Sequence, residues 1–251
     1  MASADSPRPS TPAATSAAVP GSGVHQPAGW DPVWEKVFSS QAWGKYPGED
    51  LIRFVARNFY KVPDRKAVRI LEVGSGPGAN LWFVAREGFS AYGIEGSATA
   101  VAQSIKRLDD EVEGWSGKIV QGDFNRLPFA DGEFDAVIDI EAIYCNSFES
   151  SQRIIAGIRR VLKPRGLFYS RTFAQGCMGD GTGELVGHHA WKVAEGPLLG
   201  KGYSRFSDAE DIERLYGEGF TIEELELNSR TLGGHRSGHR VSEWSVTARK
   251  C

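Results

Sequence analysis

Apolar positions recur along this chain with two periods, and the exchange between them predicts an α/β fold. Leu51, Phe54, Val55 and Phe59 share one face at helical spacing, in the second of two short helices expected within residues 30–60. Residues 68–73 form a β-branched and apolar run that ends at glycines, the pattern of a buried strand. Residues 80–87 return to a helical pattern that Gly88 stops. The exchange continues with a strand at 90–94, a helix at 98–108, and strands at 118–121 and 134–140. A helix at 151–162 turns Ile154, Ile158, Val161 and Leu162 inward, and Lys163-Pro164-Arg165-Gly166 breaks it before a strand at 167–172. Ser207 and Glu210 have the spacing of a capping box, opening a helix that runs to Tyr216. Two strands, at 221–227 and 241–248, close the chain around a Gly-rich loop. With no helix between them they pair antiparallel at a sheet edge. Strands alternating with helices in this way give a doubly wound, mostly parallel sheet with helices on both faces.

Residues 1–29 differ in kind, being rich in Ala, Pro, Ser and Thr with almost no large apolar side chains. Such a segment cannot bury enough surface to offset its ordering entropy, so a disordered extension is expected. Arg8 is its sole Lys or Arg and no continuous apolar stretch follows it, so no secretory leader is expected. Residues 30–251 are expected to form one Rossmann-like unit, with 30–66 as a helical cover and the Gly-rich segment 173–206 as a substrate lid. A chain of 251 residues with 41% hydrophobic and 24% charged residues can bury the core of such a unit. Its formal net charge of −3 argues against a nucleic-acid partner. Cys145, Cys177 and Cys251 are odd in number and widely spaced, which is neither a disulfide framework nor a zinc pattern. They fit a reducing, cytoplasmic setting. No apolar run approaches the roughly 20 residues of a membrane span.

Candidate chemistry concentrates at three strand ends. Leu71-Glu72-Val73-Gly74-Ser75-Gly76-Pro77-Gly78 follows the first strand, and alternate glycines let the backbone turn sharply and approach a ligand closely. The second strand ends in Ile94-Glu95-Gly96-Ser97, placing a carboxylate about 20 residues downstream, where it can accept from ribose hydroxyls. The third ends in Gly122-Asp123-Phe124, an acid for an adenine amino group beside an apolar side chain for the ring. Nicotinamide-binding enzymes space the glycines as G-x-G-x-x-G, whereas Gly74, Gly76 and Gly78 alternate evenly.

These residues resemble the class I S-adenosylmethionine-dependent methyltransferases. Glu72 to Gly78 is similar to their first motif; Asn125-Arg126-Leu127-Pro128-Phe129, Phe134-Asp135-Ala136-Val137 and Leu162-Lys163-Pro164-Arg165-Gly166 are similar to later ones. The resemblance covers residues 69–172 and implies a seven-stranded sheet of order 3-2-1-4-5-7-6 with the last strand antiparallel. It implies S-adenosylmethionine as cofactor, with Gly74 and Gly76 facing its methionine part. Glu95 would then hold the ribose, Asp123 and Phe124 the adenine, and Ile140 and Glu141 would lie near the sulfonium. The implied cofactor site also takes in Glu72, Ser75, Asn80, Gly96 and Ser97, with Tyr46 or Trp43 contributed by the aromatic segment Trp30, Trp34, Phe38, Trp43 and Tyr46.

Several kinds of methyl transfer are disfavoured. Base-amino enzymes resemble one another in an Asn- or Asp-Pro-Pro-aromatic run where this chain has Ile140-Glu141-Ala142-Ile143. Cytosine C5 enzymes need Pro-Cys, but Cys145 follows Tyr144, and no Asp-Asn pair of the metal-dependent catechol type occurs. Cys145 and Cys177 leave an arsenic acceptor open. The expected reaction is metal-independent transfer to oxygen or nitrogen of a small molecule, with His188, His189 and His235 as candidate bases. Arg236 and Arg240 are candidates for a substrate carboxylate or phosphate. The rivals are an RNA or protein methyltransferase and a non-catalytic protein that binds S-adenosylmethionine.

Overall fold

The computed structural model describes residues 30–236 and 238–251, so the extension expected at 1–29 lies outside the described residues. The alternation of patterns becomes a seven-stranded sheet and six helices. In chain order these are α1 (Val33–Ser40), α2 (Glu49–Phe59), β1 (Arg69–Val73), α3 (Ala79–Arg86), β2 (Ser90–Glu95), α4 (Ala98–Glu111), β3 (Gly117–Gln121) and β4 (Phe134–Ile140). There follow α5 (Phe148–Val161), β5 (Leu162–Phe173), three short strands β6 (Glu184–Gly187), β7 (Ala190–Lys192) and β8 (Ser204–Arg205), then α6 (Ala209–Tyr216), β9 (Phe220–Thr231) and β10 (Arg240–Lys250).

The large sheet has the order β3-β2-β1-β4-β5-β10-β9. Its first five strands are parallel, and β10 runs antiparallel to both β5 and β9. Counting only its own strands, that is the expected 3-2-1-4-5-7-6. Period-two alternation sends neighbouring residues to opposite faces. Leu71, Val137 and Phe168 pack with Ile154, Ile158, Ile212 and Leu215 of α5 and α6. Ile70, Ala136, Ile138 and Tyr169 pack with Leu51, Phe54, Leu81, Val84 and Leu108 of α2, α3 and α4. Both faces are covered, which is why the central strands are almost continuously apolar.

Two local expectations need correction, and a third segment gains detail. The Lys163-Pro164-Arg165-Gly166 break sits inside β5 as a register jump, with Phe134 opposite Leu162 but Ala136 opposite Leu167, and Arg165 takes φ 61°. The cap of α6 is Asp208, whose Oδ1 accepts from the Asp211 amide at 2.8 Å. Ser207 is one residue too early; its hydroxyl accepts instead from Arg205 Nη1 at 2.8 Å. Finally, 173–206 is more ordered than a Gly-rich loop suggests, folding β6, β7 and β8 into a second sheet.

Candidate active site

Parallel strands that end at one edge leave a crevice where the strand order reverses, here between β1 and β4. A cavity of about 310 Å³ lies there, at the lower end of the range for small-molecule sites. The loop after β1 forms its floor. Gly74 has φ 66°, and a Cβ on it would lie 2.3 Å from the Cβ of Ala142. Gly78 has φ 82°, and a Cβ there would lie 2.1 Å from Ser104 Oγ. Only glycine fits either position.

The buried Glu95 carboxylate at the end of β2 organises that loop. Its Oε2 accepts from the Gly76 amide at 2.9 Å and its Oε1 from the Ser97 amide at 2.8 Å. Burial pushes its pKa upward, and the two backbone amides hold it back. At the end of β1, Glu72 Oε1 accepts from Asn80 Nδ2 at 2.6 Å, while its buried Oε2 has no partner. Burial drives the Glu72 pKa well above the carboxylate range, Asn80 opposes this, and the charges of Asp139 and Glu95 add to it. Asp123 uses Oδ1 for the Asn125 amide and side chain, both at 2.8 Å, and no protein donor among the described residues reaches its Oδ2.

The β4 end holds a network that sequence reasoning missed. Asp139 is fully buried and accepts from the Ala142 amide (3.0 Å), the Ile143 amide (3.1 Å) and Ser170 Oγ (2.6 Å), fixing the turn opposite Gly74. Burial raises its pKa to about 6. Its signal was an acid inside the apolar run of residues 134–140. Glu141 then takes φ 56°, a left-handed conformation rare outside glycine, and its side chain accepts from Arg171 Nη2 at 2.7 Å. Arg171 also reaches Asp50 through Nη1 at 3.3 Å, and its Nε lies 3.4 Å from Glu243 Oε1 without hydrogen-bond geometry. One guanidinium thus serves three carboxylates.

Glu243 is the least satisfied of the three. Burial, then the neighbouring Glu141, raises its pKa to about 7, with Arg171 and Arg230 pulling it back. A carboxyl raised in the folded state keeps a proton that the unfolded chain releases above its ordinary value. Its stabilisation is therefore full below about pH 4.5 and lost as pH rises to about 7. Glu243→Gln is expected to be more stable than wild type at pH 8, by about 1 kcal/mol after allowance for screening, and no more stable at pH 4.5. Urea melts at the two pH values test this; equal shifts at both would disprove the assignment.

The aromatic segment closes the cavity on one side. Trp34, Phe38 and Trp43 pack against one another with ring centroids 5.2–6.3 Å apart and line it. Pro197, Leu198, Lys201 and Tyr203 line the other side. Of the residues expected at the cofactor site, Tyr46, Glu72, Gly74, Ser75, Gly76, Asn80, Glu95, Asp123, Phe124, Ile140 and Glu141 all line the cavity. Gly96 and Ser97 stand behind it. A Cβ on Gly96 would lie 2.0 Å from Trp30 Cδ1, and Ser97 caps α4 through the Ala100 amide.

The candidate bases lie elsewhere. His188 and His189 do not line the cavity; both rings face Asp211 of α6. His235 is exposed in the turn between β9 and β10, and Arg240 is exposed at the start of β10. The Arg236 side chain lies outside the described residues. The β9–β10 hairpin sits at the far sheet edge, two strands from the crevice, which is why its loop does not reach the cavity.

Whether S-adenosylmethionine fits can be judged from the donors and acceptors present. Its ammonium and sulfonium are positive, and the cavity presents the acids Glu72, Glu95, Asp123 and Glu141. The unpartnered Glu72 Oε2 and the free Asp123 Oδ2 are acceptors waiting for donors, and the Gly74 turn leaves room for the chain of a ligand. The residues fit.

Comparison with known proteins agrees. Residues 71–170 match the family model described as a methyltransferase domain. Sterol 24-C-methyltransferase ERG6B of Gibberella zeae is 34% identical over 129 residues, 48% of this chain and 33% of that protein. The match spans a third to less than half of the first curated relatives. A SAM-dependent methyltransferase from Methanosarcina mazei superposes with a TM-score of 0.65 at 18% identity, over 82% of this chain and 98% of that one. Magnesium protoporphyrin IX methyltransferase from Synechocystis, with bound SAM, gives 0.57 at 14% identity, over 87% and 80%. Residues 71–170 therefore match the methyltransferase-domain family model, and the described chain around them shares the fold of these solved methyltransferases.

Proposed function

We propose that this chain transfers a methyl group from S-adenosylmethionine to an oxygen or nitrogen of a small molecule, with no metal taking part in the transfer. The observation that carries this is the cavity itself, where Gly74, Glu72, Glu95 and Asp123 converge beneath an aromatic roof. Bound there, the cofactor would supply an electrophilic methyl on a positively charged sulfur. Glu95 accepts from the ribose hydroxyls with its remaining lone pairs, Asp123 Oδ2 accepts from the adenine amino group, and Phe124 packs on the ring. Glu72 takes its charge opposite the ammonium.

A small acceptor is favoured by the enclosure, since Trp34, Phe38 and Trp43 from residues 30–66 meet Leu198, Lys201 and Tyr203 from residues 173–206 around it. These two segments act as cover and lid. The net charge of −3 is wrong for a nucleic-acid backbone. The three cysteines are free, as a cytoplasmic protein requires, and among the described residues no helix is long and apolar enough to cross a membrane.

The proton of the acceptor passes to Glu141, whose strained backbone holds its carboxylate at the cavity wall while Arg171 orients it. Holding acceptor and methyl in line supplies much of the acceleration, and removal of the proton adds to it. Glu141→Gln keeps the hydrogen bond to Arg171 but cannot take a proton. It is expected to lower kcat about 100-fold or more, with a much smaller loss, about tenfold at most, in affinity for S-adenosylmethionine. An unchanged kcat would remove Glu141 from the reaction.

Production of S-adenosylhomocysteine with small aromatic and aliphatic hydroxyl and amine acceptors tests the whole reading. Tight cofactor binding with no turnover on any fractionated extract would favour a cofactor-binding protein that is not an enzyme. Turnover confined to RNA or protein fractions would replace the small acceptor.

A further inference from the structure

The two histidines that the transfer does not use form a cluster of their own. β6 and β7 are joined through His188 and His189, with Gly187 opposite Ala190 in the ladder. The two rings stack with centroids 4.0 Å apart and address one carboxylate. His188 Nε2 lies 2.7 Å from Asp211 Oδ1, and His189 Nδ1 lies 2.9 Å from Asp211 Oδ2. One ligand atom from each of the three residues lies within 4.8 Å of the other two. Asp211 is itself buried, at 2% side-chain exposure, whereas the histidines are 40% and 34% exposed.

Two imidazoles and one carboxylate are the donor set of three-ligand zinc sites and suit first-row divalent ions generally. In a tetrahedral site with bonds of about 2.0 Å, ligand atoms stand about 3.3 Å apart. The two histidine–carboxylate separations, 2.7 and 2.9 Å, fall somewhat short of that value, so side-chain rotations that part the rings from the carboxylate would admit an ion. The buried carboxylate supplies a fixed anchor, while the half-exposed ring edges leave an entry path and a coordination position open to water. His188 is further oriented by an edge contact with Phe148, ring centroids 5.2 Å apart.

From this geometry we infer that His188, His189 and Asp211 bind a divalent transition-metal ion, Zn²⁺ being the simplest occupant, outside the methyl-transfer cavity. The ion fastens the β6–β7 turn to α6. That turn is tied to the cavity wall: a Cβ on Gly187 would lie 2.5 Å from the hydroxyl of Tyr203, which lines the cavity. Its role is to hold 173–206 in place, and it takes no part in transfer. The assignment is independent of the methyltransferase reading.

Equilibrium dialysis of untagged protein against ZnCl₂ should find one equivalent bound at about micromolar Kd or tighter, and CoCl₂ should give visible absorption bands of a four-coordinate site. Saturating Zn²⁺ should raise Tm and slow hydrogen exchange across 184–205. H188F keeps a ring against Phe148, and H189N tolerates the left-handed backbone at φ 46°. Each is expected to keep the fold, checked by circular dichroism, and to weaken Zn²⁺ binding about 100-fold. A folded wild type that takes up no Zn²⁺ at about 100 μM, or that binds it no more tightly than the H188F/H189N double variant, overturns the assignment.

Discussion

Glu95→Ala is expected to weaken S-adenosylmethionine binding by about two to three orders of magnitude, the largest loss from any single side chain at the cavity. The carboxylate does two things at once. Its oxygens accept from the Gly76 and Ser97 amides at 2.9 and 2.8 Å, which sets the glycine turn and the start of α4. It also lines the cavity, where under the proposed function its remaining lone pairs would accept from the ribose hydroxyls. A hydrogen bond to a charged group contributes about 1.5–3 kcal/mol, and each buried amide left unpaired costs about 1–3 kcal/mol. Loss of two such bonds to the ribose, partly replaced by water, gives about 3–4 kcal/mol and a factor of about 100–1,000 in Kd, while the unpaired amides lower the stability of the fold.

Glutamine is not a mild replacement here. Both oxygens already face backbone N–H groups, so one of those amides would meet the NH₂ of the new side chain. Asp123→Ala should cost less, about tenfold, because one oxygen is committed to Asn125 and the other would make a single contact with the adenine. The order Glu95 before Asp123, read by calorimetric titration with S-adenosylmethionine and S-adenosylhomocysteine, is the sharper test. Glu95→Ala with native circular dichroism and a Kd within threefold of wild type would remove the carboxylate from the ribose site. Because burial raises the Glu95 pKa, wild-type affinity should also fall as pH drops through that raised value.

The glycine-loop side of this cavity is legible in the sequence because its signals are local. The glycine loop, Glu95 and Asp123 each follow a strand whose apolar run is unmistakable, and parallel strands must end at one edge. The Arg171 network at its edge is not legible, because its members come from unrelated parts of the chain. Arg171, Asp50 and Glu243 meet only when β10 pairs with β5 and α2 packs over the sheet, and no spacing announces that. Strands β6 to β8, of two to four residues, are too short for a period to appear. Sequence order could place His188 and His189 after β5, but it could not say which way the segment turns. The structure turns them to α6, where the buried Asp211 gives both rings a partner. Asp139 was overlooked because it reads as an ordinary polar residue on a strand, yet it is fully buried and holds two amides.

Gly74→Ala is expected to abolish measurable cofactor binding, more than a hundredfold in Kd, and to cost about 2–4 kcal/mol of stability. Two separable penalties are involved. An L-residue at φ 66° costs about 1–2 kcal/mol, which no neighbour can relieve. The added Cβ also falls 2.3 Å from the Cβ of Ala142, where carbon atoms prefer about 3.5–4.0 Å. Ala142 cannot retreat, since its amide is held by the buried Asp139 at 3.0 Å, which also holds Ile143. The overlap must instead push the glycine turn toward the ligand. Gly74→Ala with Ala142→Gly removes the overlap and leaves the backbone penalty. The double variant should therefore recover about half of the lost stability and some of the affinity, measured by urea unfolding and calorimetry in the same buffer. If Ala142→Gly restores nothing, the left-handed backbone is the whole requirement. If Gly74→Ala binds the cofactor as wild type does, close approach at this turn is not how the site works.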